Sequence, residues 1–110
     1  MIYIVFLPLT LEMGFYERVW DKIQEIPVGK VSTYALVAKS LNSKAYRAVG
    51  TALKLNPYAP KVPCHRIINS SGDIGNYSGP GGIKKKIELL TKEGVKIKNN
   101  KIDSKFLHNF

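Results

Sequence analysis

Hydrophobic residues recur along this chain at the three- and four-residue spacing of amphipathic helices, and proline and glycine separate the stretches. The first pattern covers residues 15–26 and stops at Pro27, which cannot continue a helix. The second covers residues 34–41 and follows Ser32 and Thr33, either of which is a suitable N-cap. We therefore expect two helices in this part of the chain.

A third helical pattern covers residues 44–55 and ends before Asn56, because the residue that precedes a proline is biased out of the helical conformation. Its inward apolar positions are Ala45, Val49, Ala52 and Leu53. Its opposite face carries Lys44, Arg47, Thr51 and Lys54. Two short helices joined by a tight polar turn are typical of a helix-turn-helix, although a basic stripe alone is more often a solvated helix face.

The sequence predicts shorter elements after these helices. Three prolines within residues 57–63 exclude regular structure there. Residues 67–74 combine apolar and turn-forming residues, which indicates a small β hairpin or wing. A fourth helix is expected after the glycines at 81–82, with inward positions at Ile83, Ile87 and Leu90.

At 110 residues, 45% of them hydrophobic, the chain has the size and composition of one soluble domain, which we place at residues 1–110. The apolar start is too short to span a bilayer, so no membrane segment is expected, and residues 1–12 are interpreted as a short strand or the remnant of one. The basic tail at 96–110 is expected to be loosely ordered. The predicted fold is mainly α, a winged-helix-like helix-turn-helix domain with a small β hairpin.

The charge of the chain bears on its partners. Lys and Arg number 17 against 8 Asp and Glu, which gives a formal net charge of +9. Such a surface attracts polyanions, including nucleic acid, through counterion release. Solubility alone would explain the same charge, so basicity leaves the partner open.

Cys64 is the only cysteine, and His65 follows it directly. One cysteine excludes an intramolecular disulfide, and with two histidines it supplies too few soft ligands for a structural zinc site, so no metal is expected. A thiol beside an imidazole suits sulfur nucleophile chemistry and favours a reducing, cytoplasmic location. In an extended strand the two side chains would point apart, so their cooperation needs a bend after Pro63 or a bridging water. A lone cysteine is also commonly an inert core residue.

Six short fragments follow one another in a recognisable order. They are Val31-Ser32-Thr33-Tyr34, Arg47-Ala48-Val49-Gly50, Asn56-Pro57, Pro63-Cys64-His65-Arg66-Ile67, Gly75-Asn76-Tyr77-Ser78-Gly79 and Lys92-Glu93-Gly94. Over residues 8–97 the sequence closely resembles the C-terminal, active-site domain of the O6-alkylguanine-DNA alkyltransferases, also called methylated-DNA–protein-cysteine methyltransferases. The resemblance implies a DNA-binding domain that places the second helix of its helix-turn-helix in the minor groove of duplex DNA and flips the damaged nucleotide into a pocket.

The resemblance also implies roles for individual residues. Cys64 resembles the acceptor that takes an alkyl group from guanine O6 in one irreversible turnover, without a cofactor. His65 would accept its proton through a water and so promote the thiolate, and Glu93 would hold the imidazole in the required tautomer. Asn56 would brace the active-site turn, and the Tyr34 phenol would supply a proton or hydrogen bond to the departing guanine.

Further positions match residues with which the family binds its substrate. Arg47 resembles the residue that enters the base stack in place of the flipped nucleotide, which suits a flat guanidinium. Ser78 resembles the loop group that contacts O6, and Tyr77 and Pro60 resemble groups that line the base slot. Lys54, on the basic face, is an expected DNA contact.

Two features depart from the family pattern. Tyr46 occupies a position beside Arg47 where the family mostly has a small residue, and its bulk is expected to affect the fit in the minor groove. Family members usually carry a larger domain before this one, so the resemblance implies that activity survives without it, whereas stability is in doubt.

Three functions are weighed at this level. The first is a monomeric repair methyltransferase acting on double-stranded DNA that contains alkylated guanine, with O4-alkylthymine as an open second substrate. The second is an alkyltransferase-like protein, which holds a damaged base without chemistry and typically replaces the cysteine; Cys64 argues against it. The third is a helix-turn-helix regulator with a redox-sensing thiol, which has no use for Asn56, Tyr77, Ser78 and Glu93 in that order.

Overall fold

The elements of the structure, a computed structural model, follow the predicted helical pattern with adjusted boundaries. The structure describes residues 14–110, so the strand expected within residues 1–12 lies outside the described residues. The elements are α1 (Phe15–Ile23), β1 (Ser32–Thr33), α2 (Tyr34–Ser40), α3 (Tyr46–Lys54), a 3-10 turn (Cys64–Arg66), β2 (Ile67–Ile68), α4 (Gly82–Lys92), β3 (Ile97–Lys98), β4 (Lys101–Ile102) and a second 3-10 turn (Ser104–Phe106). Among the helices of residues 14–110, none is long and apolar enough to cross a membrane.

Helices α2 and α3 form the predicted helix-turn-helix, and α1 packs against both. The Thr33 hydroxyl oxygen accepts a hydrogen bond from the N–H of Leu36 at 3.1 Å, so Thr33 is the N-cap of α2. Trp20 on α1 donates from Nε1 to the Ala52 carbonyl at 2.8 Å, which ties α1 to the end of α3. The buried residues form a first cluster, made of Val19, Ile23, Ile26, Val37, Ala38, Leu41, Val49, Ala52, Leu53, Val62, Cys64 and Ile67.

Two helix boundaries differ from the prediction. The first helix ends at Ile23, and Ile26 is buried from the turn that follows. The third begins at Tyr46, later than expected, because the Ser43 hydroxyl accepts a hydrogen bond from the N–H of Ala45 at 2.9 Å. Such a local side-chain bond competes with the first helical turn. Ala45, predicted to face inward, is consequently exposed.

A short parallel sheet joins the helix-turn-helix to the segment after the cysteine. Its register is Ser32 to Ile67 and Thr33 to Ile68. The hairpin predicted for residues 67–74 is replaced by this pairing, although a turn closes there with a 2.9 Å bond from the Asn69 N–H to the Asp73 carbonyl. Both residues of β2 are buried, and so are both residues of β1. A parallel pair that is covered on both faces is the usual arrangement for such strands, whereas a hairpin at 67–74 would leave one strand exposed.

The tail at 96–110, expected to be loosely ordered, forms backbone pairs in this structure. Strands β3 and β4 form an antiparallel hairpin that turns at Asn99 and Asn100, with φ of 54° and 61°. Further on, the Phe106 carbonyl accepts a hydrogen bond from the Val31 N–H at 2.9 Å. The tail thereby closes a second buried cluster, made of Val31, Ile68, Ile74, Leu90, Val95 and Ile102. This hairpin lies in the tail, whereas the sequence predicted one at residues 67–74.

Helix α4 faces inward with two of its three predicted positions, since Leu90 is buried and Ile87 packs against the second cluster. Ile83 is 41% exposed, whereas Lys86 is fully buried and Leu90 is buried as expected. Lys86 follows Ile83 by three residues and precedes Leu90 by four, so all three occupy neighbouring positions on the helix surface. The lysine is therefore the buried residue in this part of the helix, and the isoleucine one turn earlier reaches solvent.

Candidate active site

Cys64 begins a 3-10 turn rather than lying in a strand. The backbone bends after Pro63, one of the two alternatives considered from the sequence, and the Pro63 carbonyl accepts a hydrogen bond from the N–H of Arg66 at 2.9 Å. Only 6% of the cysteine is exposed. At three residues per turn, the side chains of Cys64 and His65 diverge by about a third of a circle, so a proton moving between them needs a bridge.

Asn56 braces the loop in front of the cysteine. Its Nδ2 donates to the Val62 carbonyl at 2.9 Å, and its Oδ1 accepts from the N–H of Tyr58 at 2.9 Å. The Val62 carbonyl also accepts from the N–H of Cys64 at 2.8 Å. The bracing position predicted for Asn56 is therefore the one that the side chain occupies.

A cavity of about 140 Å³ lies beside the thiol. It is lined by Tyr34, Gly50, Leu53, Lys54, Cys64, Asn76, Tyr77 and Ser78. Helix α3 supplies the second to fourth of these residues, so the outer helix of the helix-turn-helix is also a wall of the cavity. The parallel pairing of β1 with β2 brings Tyr34, which directly follows β1, to the segment that contains the cysteine.

The structure brings together four of the predicted pocket residues and leaves one out. Tyr34, Tyr77 and Ser78 share the cavity with the thiol, but Pro60 does not line it. Pro60 is exposed, because the residue before it, Ala59, is the one that packs against the first cluster. The contact of Pro60 with a flipped base therefore stays a prediction that the cavity lining does not support.

Burial disfavours the charged forms of both the Cys64 thiol and the His65 imidazole. Burial raises the pKa of the Cys64 thiol, and a hydrogen bond from Asn56 and the charge of Lys86 oppose this only in part. Burial also lowers the pKa of the His65 imidazole, against the influence of Glu93. In the free protein, burial thus opposes the expected transfer of the thiol proton to the imidazole, because a buried site disfavours both charged forms.

His65, Arg66 and Glu93 form one hydrogen-bonded group. His65 Nε2 lies 2.9 Å from Glu93 Oε2. Arg66 donates to the same carboxylate from Nε at 2.9 Å and from Nη2 at 3.0 Å, and to the Ile26 carbonyl from Nη1 at 2.8 Å. Burial raises the pKa of the Glu93 carboxyl, but the hydrogen bonds from Arg66 and His65 outweigh burial and hold the pKa below its ordinary value.

This group fixes which ring nitrogen of His65 is basic. A carboxylate only accepts hydrogen bonds, so Nε2 of the neutral ring carries the proton and Nδ1 carries the lone pair. Among the described residues, Nδ1 has no hydrogen-bond partner although it is buried. The pair predicted from the sequence, His65 with Glu93, is thus brought together with the second nitrogen able to accept a proton.

Lys86 is the residue of this region that sequence reasoning missed. Its Nζ donates to the carbonyls of Ile67 at 2.7 Å, of Asn76 at 3.0 Å and of Ile74. Burial lowers its pKa to about 8, with neighbouring Cys64 opposing that shift. The available signal was positional, since the third lysine of a run of three precedes the buried Leu90 by four residues.

The basic face of α3 is free for a partner. Arg47 and Lys54 are exposed, and neither forms an ion pair with any residue of the 14–110 range. Tyr46, at the first position of the helix, is 51% exposed. The structure therefore places all three predicted contacts on the outer surface, and Lys54 also reaches the cavity.

Fold and site define a helix-turn-helix domain with a cysteine pocket behind its outer helix. The family model described as 6-O-methylguanine DNA methyltransferase, DNA binding domain, matches residues 14–95. The chain belongs to this family, and the resemblance seen in its six fragments is confirmed.

Curated proteins named methylated-DNA–protein-cysteine methyltransferase are similar to most of this chain. The methylated-DNA–protein-cysteine methyltransferase of Saccharolobus islandicus is 49% identical over 91 residues, which cover 82% of this chain and 58% of that protein. The rat protein of the same name is 45% identical over 90 residues, covering 80% and 43%. The chain spans about half the length of the curated relatives it matches.

Solved structures of related DNA-bound proteins share the fold of this chain. S. pombe Atl1, in complex with damaged DNA containing O6-carboxymethylguanine, has a TM-score of 0.77 and 34% identity, covering 87% of this chain and 95% of that one. Mycobacterium tuberculosis OGT in complex with DNA has a TM-score of 0.70 and 40% identity, covering 74% and 49%.

Proposed function

We propose that this protein repairs DNA by a single, irreversible transfer of an alkyl group from O6 of guanine to Cys64. One observation carries the proposal: the thiol lines a cavity whose wall is the basic outer helix of the helix-turn-helix. A base that leaves a duplex bound to this helix would enter the cavity and meet the sulfur. The DNA-containing structures of related proteins support the choice of partner.

Proton transfer at the moment of reaction is the first requirement. The neutral thiol is a weak nucleophile, and the neutral imidazole of His65 has its basic Nδ1 turned away from Glu93. We infer that the thiol proton passes through a water to Nδ1 as the substrate arrives, because the side chains of Cys64 and His65 diverge along the 3-10 turn. The negative charge of Glu93 then stabilises the imidazolium, whereas the positive charge of Arg66 opposes it and Arg66 contributes by holding the carboxylate in place.

The departing guanine is the second requirement. The sulfur forms a bond to the alkyl carbon, the bond from that carbon to O6 breaks, and its electron pair stays on the guanine. Burial raises the pKa of the Tyr34 phenol, with the nearby Cys64 adding to the effect, so the phenol stays protonated and able to donate to the purine. Ser78, which lines the same cavity, would donate to O6.

Duplex binding and nucleotide flipping complete the proposal. Arg47 would fill the space of the flipped base, and its unpaired, exposed guanidinium supports that role. Tyr46 beside it would widen the wedge. Because one chain supplies every group invoked, we propose that a monomer acts, with no cofactor.

The product explains why turnover stops after one event. A thioether has no good leaving group, so the protein has no chemical route back to the free thiol. We extend the proposed substrates beyond methyl to larger O6-alkyl groups, since S. pombe Atl1 is seen with O6-carboxymethylguanine. O4-alkylthymine is included as a second lesion for the same assay.

The decisive experiment is to incubate the protein with a duplex that contains O6-methylguanine and to determine its intact mass and modified peptide. We expect one methyl group per molecule on Cys64, and none with an undamaged duplex or with Cys64→Ser. Methylation at another residue, or full methylation of Cys64→Ser, would refute the assignment.

A second candidate function is lesion binding without chemistry. It is favoured by the similarity to S. pombe Atl1, a protein seen in complex with damaged DNA that contains O6-carboxymethylguanine. Protein that binds the damaged duplex tightly but keeps an unmodified thiol would establish this function instead.

A further inference from the structure

The cavity beside Cys64 carries a positive charge, which a neutral methyl group would not need for binding. Among its lining residues Lys54 is the one cation, and none is a carboxylate. Lys54 follows Gly50 by four residues on α3, so the two lie on one face of the helix, and both line the cavity together with Tyr34.

The surroundings leave this cation uncompensated. Lys54 forms no ion pair within the described part of the chain. A second cation, Lys86, lies near enough to influence the Cys64 thiol. The carboxylate on the far side of the site, Glu93, is already engaged by Arg66 and His65. An anion in the cavity would therefore meet positive potential without a competing negative charge.

Resting on the proposed function, we propose that Lys54 selects O6-alkyl groups that end in a negative charge, with the carboxymethyl group as the simplest example. A carboxylate beside the reacting carbon repels an incoming thiolate. A lysine that binds the carboxylate removes this repulsion and also orients the methylene carbon toward the sulfur. Lys54 is thus a specificity-determining residue.

The chemistry balances without a further reagent. The Cys64 sulfur bonds to the methylene carbon, the bond from that carbon to O6 breaks, and its electron pair remains on the guanine. The thiol proton passes to His65, and the carboxylate is carried unchanged onto the cysteine.

Two simpler roles for Lys54 predict a different outcome. As the last residue of α3 it is favourably placed against the helix dipole, and as an exposed cation it is suited to a DNA phosphate. Either role would affect all lesions equally. Selection by charge would change the transfer rate only for the lesion with an anionic alkyl group.

The test uses three duplexes, with O6-methyl-, O6-carboxymethyl- and O6-carbamoylmethylguanine, the last being a neutral group of nearly the same size. Single-turnover rates are measured at saturating DNA for the full chain, for Lys54→Gln and for Lys54→Arg. In Lys54→Gln the carboxymethyl to carbamoylmethyl rate ratio should fall about tenfold, the equivalent of one charge-assisted hydrogen bond. Lys54→Arg should keep most of the ratio.

Lys44→Gln is the matched control, because it removes an exposed charge just before the same helix but outside the cavity. Its rate ratio should equal that of the full chain. An equal slowing of all three lesions in Lys54→Gln, or the same ratio change in Lys44→Gln, would overturn the inference alone. Absence of transfer from O6-methylguanine by the full chain would overturn the proposed function and this inference with it.

Discussion

At the scale of single residues, Lys86 connects the stability of the protein with its chemistry. A buried ammonium group is tolerated when hydrogen bonds replace its hydration, and three backbone carbonyls do this here. Two of these carbonyls, from Ile74 and Asn76, belong to the segment that leads into the cavity loop. The same charge opposes the effect of burial on the pKa of Cys64. One side chain therefore positions the loop and favours the thiolate.

The pH dependence of stability tests the burial of Lys86. Because burial lowers its pKa from 10.5 to about 8, the unfolded chain binds more protons than the folded one between these values. Stability conferred by Lys86 should therefore rise with pH across this window, by up to about 3 kcal/mol relative to Lys86→Met. Urea denaturation of both proteins from pH 7 to 10.5 measures the difference.

Both proteins in that comparison should carry Cys64→Ala, so that the thiol titrates in neither. Tyrosine titration is common to both and cancels. Parallel stability curves over the window would show that Lys86 is hydrated in solution, contrary to the structure.

At the scale of elements, two contacts of Thr33 fix the start of helix α2. Thr33 pairs with Ile68 in the parallel sheet and also caps the helix with its hydroxyl. Tyr34 is the next residue, so the cap and the sheet together set where the phenol enters the cavity. Weakening either contact should reach the active site through Tyr34.

Substitution of Thr33 separates its hydroxyl from its shape. Thr33→Val keeps the branched shape but removes the acceptor for the Leu36 N–H, so the free energy of unfolding should fall by about 1 kcal/mol. Thr33→Ser keeps the acceptor and should lose less. Equilibrium urea denaturation gives both values, and a valine variant as stable as the starting protein would contradict the capping role.

Local sequence signals predicted the helices well because helical periodicity and caps act within a few residues. The inward positions Val49, Ala52 and Leu53 are buried, and Thr33 is one of the two expected caps. The β1–β2 pairing joins Thr33 to Ile68, far apart in the chain, and short strands of two residues carry no alternating pattern to reveal it. Such contacts are decided by tertiary packing.

In the active site, too, some features could be predicted from local sequence and others depend on tertiary packing. The motif residues Cys64, His65, Asn56 and Glu93 were found from their order, and the structure brings them together. Lys86 was missed because a lysine in a run of lysines usually faces solvent. The neutral thiol was missed as well, since the pKa of a cysteine depends on its burial, which no motif specifies.

At the scale of the whole molecule, strand β2 is the partition between two buried clusters. Neighbouring residues of a strand point to opposite faces, so Ile67 joins the first cluster and Ile68 the second. The first cluster holds the helix-turn-helix, and the tail residue Ile102 completes the second. Because they share one strand, and the active-site turn leads directly into it, we expect the two clusters to unfold together.

Truncation of Ile102 tests whether the tail supports the active-site half. Ile102 is 5% exposed, so Ile102→Ala should lower the free energy of unfolding by about 2–5 kcal/mol, whereas Ile83→Ala, the same change at an exposed site, should have little effect. The single tryptophan, Trp20, packs on the first cluster and reports that half by fluorescence. Trp20 fluorescence and far-ultraviolet circular dichroism should give one shared, lowered midpoint in urea. A tryptophan transition unmoved by Ile102→Ala would show instead that the two clusters are independent and that the tail is dispensable for the helix-turn-helix.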